Sequence, residues 1–184
     1  MPTQIFRDMG WRVTSPYGYR YHPISGEWSF HTGIDLAKDH LHPIPPFLGG
    51  NVIFAGWGLS GTGLGGYGNV VLVEDDWGYT NMYAHLDTIS CAVGQRVTES
   101  DIIGTQGATG YVTGSHLHFE IRESSYPDWG WGTHTNPGEY LELRYQEENG
   151  HIPYRPIPSP FGLLTLGLIM IGGTYGISYV ARRE

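Results

Sequence analysis

Residues 115–122 read Ser115-His116-Leu117-His118-Phe119-Glu120-Ile121-Arg122. Apolar and polar residues alternate here without interruption, and in a strand successive side chains point to opposite faces. Leu117, Phe119 and Ile121 therefore form one row, suited to a core. His116, His118 and Glu120 form a second row on the other face. The stretch reads as a half-buried strand whose polar side carries two imidazoles and a carboxylate.

Outward from this strand the pattern repeats. Asn51–Trp57, Gly68–Asp75 and Tyr79–Ala84 are short apolar runs between glycines and read as strands; Asp101–Gln106 is a weaker one, and Val13-Thr14-Ser15 enters near the start. No helical period holds for twelve residues. Glycine numbers 28 of 184 residues, about twice the usual share of ~7%. The expected architecture is an all-β sandwich or barrel.

Composition removes several function classes. A single cysteine, Cys91, excludes an internal disulfide and a cysteine-based metal cluster. Eighteen acidic residues against ten basic ones give a net charge of −8, which argues against sequence-independent nucleic-acid binding. Three acids (Glu147, Glu148, Glu184) and three arginines (Arg155, Arg182, Arg183) fall in 146–184, so the whole −8 sits on residues 1–145. Met1–Gly10 has no basic n-region with a following apolar stretch, so no secretory signal is expected there.

The chain divides by composition into a domain over 1–145, a linker and a tail. Residues 146–160 hold prolines at 153, 156, 158 and 160, the pattern of an extended, semi-rigid spacer. Residues 161–181 contain no charged residue and precede Arg182-Arg183. About 20 helical residues span ~30 Å, the thickness of a bilayer core, so 161–181 is expected to be a transmembrane helix in a lipid membrane. The competing reading is a soluble hairpin turning at Gly172-Gly173.

The histidines concentrate the chemistry. In extended chain His31 and Asp35 share a face, with Gly33 between them and no side chain in the way. Zinc takes three protein ligands when one position is kept for water. His31, Asp35 and one of the His116/His118 pair supply such a His₂Asp set. The other member of that pair and His85 remain to move protons or stabilise an oxyanion. Glu120, on the same strand face, is either an acceptor fixing a histidine tautomer or a solvated strand residue. Tyr83 is read as packing. Gly61–Gly66 matches a dinucleotide-binding glycine pattern literally, but a β-like run follows where a helix is needed, so no such site is expected.

Taken together, the ordered motifs resemble the lysostaphin/LytM-type zinc metallopeptidases, which cut peptide bonds in bacterial peptidoglycan. They run through Ser15-Pro16-Tyr17-Gly18-Tyr19-Arg20-Tyr21-His22-Pro23, His31-x-Gly33-x-Asp35, Gly66-Tyr67-Gly68-Asn69-Val70-Val71 and Tyr83-Ala84-His85-Leu86. Gly107-Ala108-Thr109-Gly110, Thr113–Glu120 and Asn136-Pro137 with Tyr140-Leu141 complete the set. The resemblance implies a lysostaphin-like catalytic domain with zinc on His31, Asp35 and His118. It further implies His116 and His85 as the catalytic histidines. Arg20, whose planar fork suits a peptide carboxylate, and His22 are read either as substrate contacts or as braces of the loop carrying Tyr17 and Gly18. The chain departs from the family at His42–Phe47, where the loop is differently composed. The loop 58–66 and the segment 123–135, with Trp129 and Trp131, are read as chain-specific edges of the groove.

The expected activity is therefore peptidoglycan endopeptidase, membrane-anchored, with peptidoglycan and lipid as partners and no nucleic acid. The setting is either a phage virion membrane, for entry through the wall, or the bacterial envelope, for wall remodelling. A non-catalytic peptidoglycan-binding or activator scaffold is the alternative from another class.

Overall fold

The computed structural model describes residues 3–22, 24–123 and 134–148. In chain order the elements are α1 (Gln4–Asp8), β1 (Arg12–Ser15), β2 (Gly18–Tyr21), β3 (Trp28–His31), β4 (Ile34–Ala37), β5 (Pro43–Ile44), β6 (Gly50–Trp57), β7 (Asn69–Asp75), β8 (Thr80–Ile89), β9 (Arg96–Val97), β10 (Gly104–Gln106), β11 (Leu117–Arg122), β12 (His134–Thr135) and α2 (Pro137–Glu148). One antiparallel sheet runs β1-β4-β11-β8-β7-β6-β9, with β12 added beside β11 and β10 bridging β8 and β5. Strands β2 and β3 form a separate two-stranded ribbon.

The apolar row of 115–122 faces the core as read, but the strand starts at Leu117 and its polar row, His118, Glu120 and Arg122, is buried too, so the strand is covered on both faces and not half-buried. Leu117, Phe119 and Ile121 are fully buried in the larger core with Phe6, Phe47 and Tyr83. Phe47 meets Phe119 edge-on at 4.7 Å. The continuous apolar runs of β7 and β8 have a different cause: both faces meet an apolar core. Val71, Val73 and Tyr83 face the larger core, while Val70, Leu72, Met82 and Ala84 pack with Leu64 on the other side. Tyr83 is packing, as expected; its hydroxyl accepts the Phe47 N–H at 2.7 Å.

The mostly-β expectation holds, and two helices supplement it. Helix α2 carries a capping signal in its sequence. The Asn136 side chain accepts the Gly138 N–H at 3.1 Å and donates to Glu139 at 3.4 Å, and Pro137 supplies the fixed φ of a first helical residue. The low periodicity of the segment hid it. Residues 146–148, read as the start of the linker, are helical. The remainder of that linker and the segment 161–181 lie outside the described residues. Among the described residues no helix is long and apolar enough to cross a membrane.

Asp75, buried at the end of β7, locks α2 to the sheet. Its Oδ1 accepts the N–H groups of Trp77 and Tyr79, both at 3.0 Å. Its Oδ2 accepts Asn81 at 2.8 Å and the Tyr140 hydroxyl at 2.7 Å. Tyr140→Phe removes one hydrogen bond to a charged group and is expected to lower unfolding stability by about 1.5–3 kcal/mol, measured by urea denaturation. Asp75→Ala strands all four donors and should cost more.

Candidate metal centre

Strand pairing brings the three expected ligands together. In the register of β11 with β4, His118 lies opposite Asp35. His31 arrives from the ribbon. Contrary to the extended reading of 31–35, the chain bends at Thr32-Gly33: His31 ends β3 and Asp35 lies in β4, on two different sheets. Gly33 sits in this bend with no room for a side chain. A Cβ there would lie 2.5 Å from the Phe119 carbonyl oxygen and 2.7 Å from the His118 ring, so the position is reserved for close approach of backbone to imidazole.

His31 Nε2, Asp35 Oδ1 and His118 Nδ1 form a triangle with sides of 3.0, 3.1 and 3.2 Å. A tetrahedral ion with ligands at ~2.0–2.1 Å has ligand–ligand edges of about 3.3 Å. The hydrogen bonds on the far side of each ring explain why these atoms can act as ligands. His31 Nδ1 donates to the Pro16 carbonyl at 2.9 Å, and His118 Nε2 donates to Glu120 at 3.1 Å. In the neutral rings both remaining nitrogens present lone pairs, which converge with that of the carboxylate. Three lone pairs aimed at one point repel unless a cation or a proton lies between them, and the donor set suits zinc.

Glu120 is wholly buried, which settles that it is not a solvated strand residue. Its Oε2 accepts His118, Thr32 at 2.9 Å and Tyr67 at 3.3 Å; Arg122 pairs with Oε1. Burial alone would raise its pKa, but His118 and Arg122 outweigh burial and lower it. For Asp35, too, burial is opposed by bonds from His118 and His31, which hold the carboxyl far below the ordinary range. Burial likewise works against a proton on His118, yet Asp35 and Glu120 on either side raise its pKa to about 9. Thr32 and Tyr67 were not foreseen as partners; the sequence carries no signal for them, since their roles depend on the ribbon and the 58–68 loop folding over β11.

His85 and His116 stand beside the triangle. His116 Nε2 is 3.6 Å from Asp35 Oδ1, its Nδ1 donates to the Gly114 carbonyl at 2.9 Å, and its ring centroid lies 4.9 Å from that of His85. His85 is placed by an irregularity: the β7–β8 register shifts between Asn69 and Val71, and His85 takes φ +61°. That conformation is costly for a residue with a side chain. Its N–H donates to the Tyr67 carbonyl at 2.9 Å and its Nδ1 to the Thr109 carbonyl at 2.9 Å. Burial and the neighbouring His118 and His116 push its pKa down to about 3.

Arg20 reaches toward the second oxygen of Asp35, Nη2 to Oδ2 3.6 Å. His22 lines the same groove, but its Nδ1 accepts the N–H groups of Ile24 and Ser25 at 3.3 and 3.2 Å, so it also braces its own turn. The groove, about 690 Å³, is closed on the opposite side by Gly65–Tyr67 and Tyr111–Ser115. The expected edge role of the 58–66 loop is thus met at Gly65 and Gly66. Trp129 and Trp131 lie outside the described residues.

The model of peptidase family M23 matches residues 29–137. The chain is 41% identical over 116 residues to the DD-carboxypeptidase/endopeptidase Mpg of Neisseria meningitidis serogroup B, an alignment covering 63% of this chain and 25% of that protein. It is 36% identical over 110 residues to the glycyl-glycine endopeptidase ALE-1 of Staphylococcus capitis, covering 60% and 29% respectively. The catalytic domain of lysostaphin from Staphylococcus simulans superposes with a TM-score of 0.62 at 28% identity, covering 76% of this chain and 97% of that one. The chain thus spans about a quarter of the length of these curated relatives.

Two outcomes follow from the geometry. Gly33→Ala forces a methyl into backbone and ring, and is expected to cost about 3 kcal/mol of stability and to abolish metal uptake, read by thermal unfolding and by metal stoichiometry. Because His118 holds its proton up to about pH 9, uptake of Zn²⁺ at neutral pH releases that proton. Affinity should therefore rise roughly tenfold per pH unit between 7 and 9, measured by calorimetry in buffers of different ionisation enthalpy.

Proposed function

The chain belongs to peptidase family M23, and from that premise we propose that it is a zinc-dependent endopeptidase hydrolysing peptide bonds in bacterial peptidoglycan. The observation that carries this reading is the triangle of His31 Nε2, Asp35 Oδ1 and His118 Nδ1, each oriented by a partner outside it and open to a groove. These three residues would hold the zinc, which when bound supplies a Lewis acid that acidifies water and polarises a carbonyl.

The remaining steps belong to the chain. The Nε2 of His116, left as an acceptor by its bond to Gly114, takes the proton of the attacking water. His85 is neutral and also presents an acceptor, because its Nδ1–H is committed to Thr109. The expected role of His85 as donor to the oxyanion is therefore open only after it has gained a proton. The proton that His116 takes from the water stays on its Nε2, makes that nitrogen a donor, and then passes to the departing amine. Arg20 holds Asp35 by its outer oxygen and offers a planar fork to a peptide carboxylate at the groove floor.

We infer further that 161–181 anchors the domain to a lipid membrane, with 146–160 as spacer, so that the domain works on the wall from a virion membrane or from the bacterial envelope. The support is the uncharged run followed by Arg182-Arg183.

The test is hydrolysis of purified cross-linked peptidoglycan. A chelator should abolish it and Zn²⁺ restore it. His118→Ala should lose both metal and activity. His116→Ala should keep its metal and lose at least about 100-fold in rate. Hydrolysis that survives in chelator, or binding to the wall without any hydrolysis, would contradict the enzyme reading; the second result is the one a scaffold gives.

A further inference from the structure

The ribbon β2–β3 has two faces of different chemistry. Arg20, Ser29 and His31 point into the groove. On the other face Tyr19, Tyr21, Trp28 and Phe30 are 69%, 72%, 61% and 37% exposed. Cross-strand register sets Tyr19 opposite Phe30 and Tyr21 opposite Trp28. The rings form one continuous surface: Tyr19 lies parallel to Trp28 at 6.0 Å, Tyr21 meets Trp28 at 5.0 Å, and Tyr19 meets Phe30 at 4.9 Å.

Four large aromatics in a row facing water call for an explanation beyond the core, since contiguous exposed apolar patches mark interaction sites. A two-stranded ribbon needs some cross-strand packing to persist, but aliphatic pairs would do that without exposing phenol and indole. Tyr and Trp combine a flat apolar face with a polar edge, which matches the two-sided character of a pyranose: a face of C–H groups rimmed by hydroxyls. The patch is also continuous with the groove, because Tyr21 and Phe30 line the groove as well as the outer face.

We propose that the outer face of β2–β3 is a carbohydrate-stacking platform that holds the glycan strand while the attached peptide lies in the groove. This rests on the peptidoglycan reading above. Glycan and stem peptide are parts of one polymer, so contact at both raises the effective concentration of the peptide at the groove. Charge favours glycan over an anionic bilayer as occupant. The ribbon's only cation, Arg20, faces the groove, and the whole −8 of the chain lies on residues 1–145, where a bilayer-binding surface would carry Lys and Arg.

The experiment uses the full chain and the variants Tyr19→Ser and Trp28→Ser, neither of which lines the groove. Binding is measured to glycan strands freed of stem peptides by an amidase, and hydrolysis is measured both on whole sacculi and on a soluble, glycan-free peptide. Each variant should bind stripped glycan at least about tenfold more weakly and lose sacculus hydrolysis in proportion, with metal content and soluble-peptide rate within about twofold of the parent. Trp28→Tyr, which keeps a ring, should restore binding. The proposal is overturned if the parent does not bind stripped glycan, if both serine variants bind it like the parent, or if Trp28→Tyr fails to restore it. It is also overturned if the variants lose binding to phosphatidylglycerol vesicles or a dimeric state while glycan binding is unchanged. A parent that binds stripped glycan yet cleaves no peptide would defeat the enzyme reading and leave the platform standing.

Discussion

Three atoms able to ligate a metal, held within 3.2 Å of one another on largely buried side chains, are the constraint around which the rest of the domain is arranged. Such a cluster is costly to bury, and the bonds that His118 and His31 give Asp35 offset that cost. It persists because every member is tied from behind. Pro16 holds His31, Glu120 holds His118, and Arg20 stands behind Asp35. Glu120 is in turn held by Thr32, Tyr67 and Arg122. A buried carboxylate with this many partners is costly to assemble and costly to disturb, and its effect is to fix one tautomer and one ring orientation.

The sheet supplies these ties economically. Strand β11 lies between β4 and β8, so a single strand sets His118 opposite Asp35 on one side and opposite Ala84, next to His85, on the other. The loop before β7 and the loop before β11 then interlock: Tyr111 N–H donates to the Gly66 carbonyl at 2.8 Å, and Asn69 N–H donates to Thr109 Oγ1 at 2.9 Å. A Cβ on Gly110 would lie 2.3 Å from the Gly66 carbonyl oxygen. This interlock brings the Thr109 carbonyl to His85 and closes the groove wall. The ribbon supplies the opposite wall, so the groove is a seam between two sheets rather than a pit in one.

The sequence was most legible where one face of an element is apolar and the other polar, even though both faces of β11 are buried. The row Leu117, Phe119, Ile121 and the row His116, His118, Glu120 follow from alternation alone. The choice of His118 over His116 as ligand does not; both are on the same face, and only cross-strand register puts His118 against Asp35. The bend at Thr32-Gly33 was invisible because a five-residue motif with a central glycine is compatible with a strand, and the close approach that reserves Gly33 is to Phe119, some 86 positions away. Helix α2 was missed although Asn136, Pro137 and Glu139 spell its start, because its buried side is narrow and built partly from Tyr140 and Arg144 rather than aliphatic residues. Glu120 could not be assigned from its own strand, since its partners come from three other parts of the chain.

His85 illustrates a different kind of constraint. Its left-handed backbone, in the middle of a strand, suits glycine or asparagine better than a residue whose value is its imidazole. If the domain hydrolyses as proposed, with His85 serving the reaction, a histidine there would be kept against that preference. In a lineage released from the need to cleave, glycine or asparagine at 85 would relieve the strain without touching the metal triangle. Drift would then run downhill in free energy toward a sturdier domain that still binds its ion and no longer turns over substrate. On that reading, the backbone at one position would make loss of chemistry the easy evolutionary direction and its recovery the hard one.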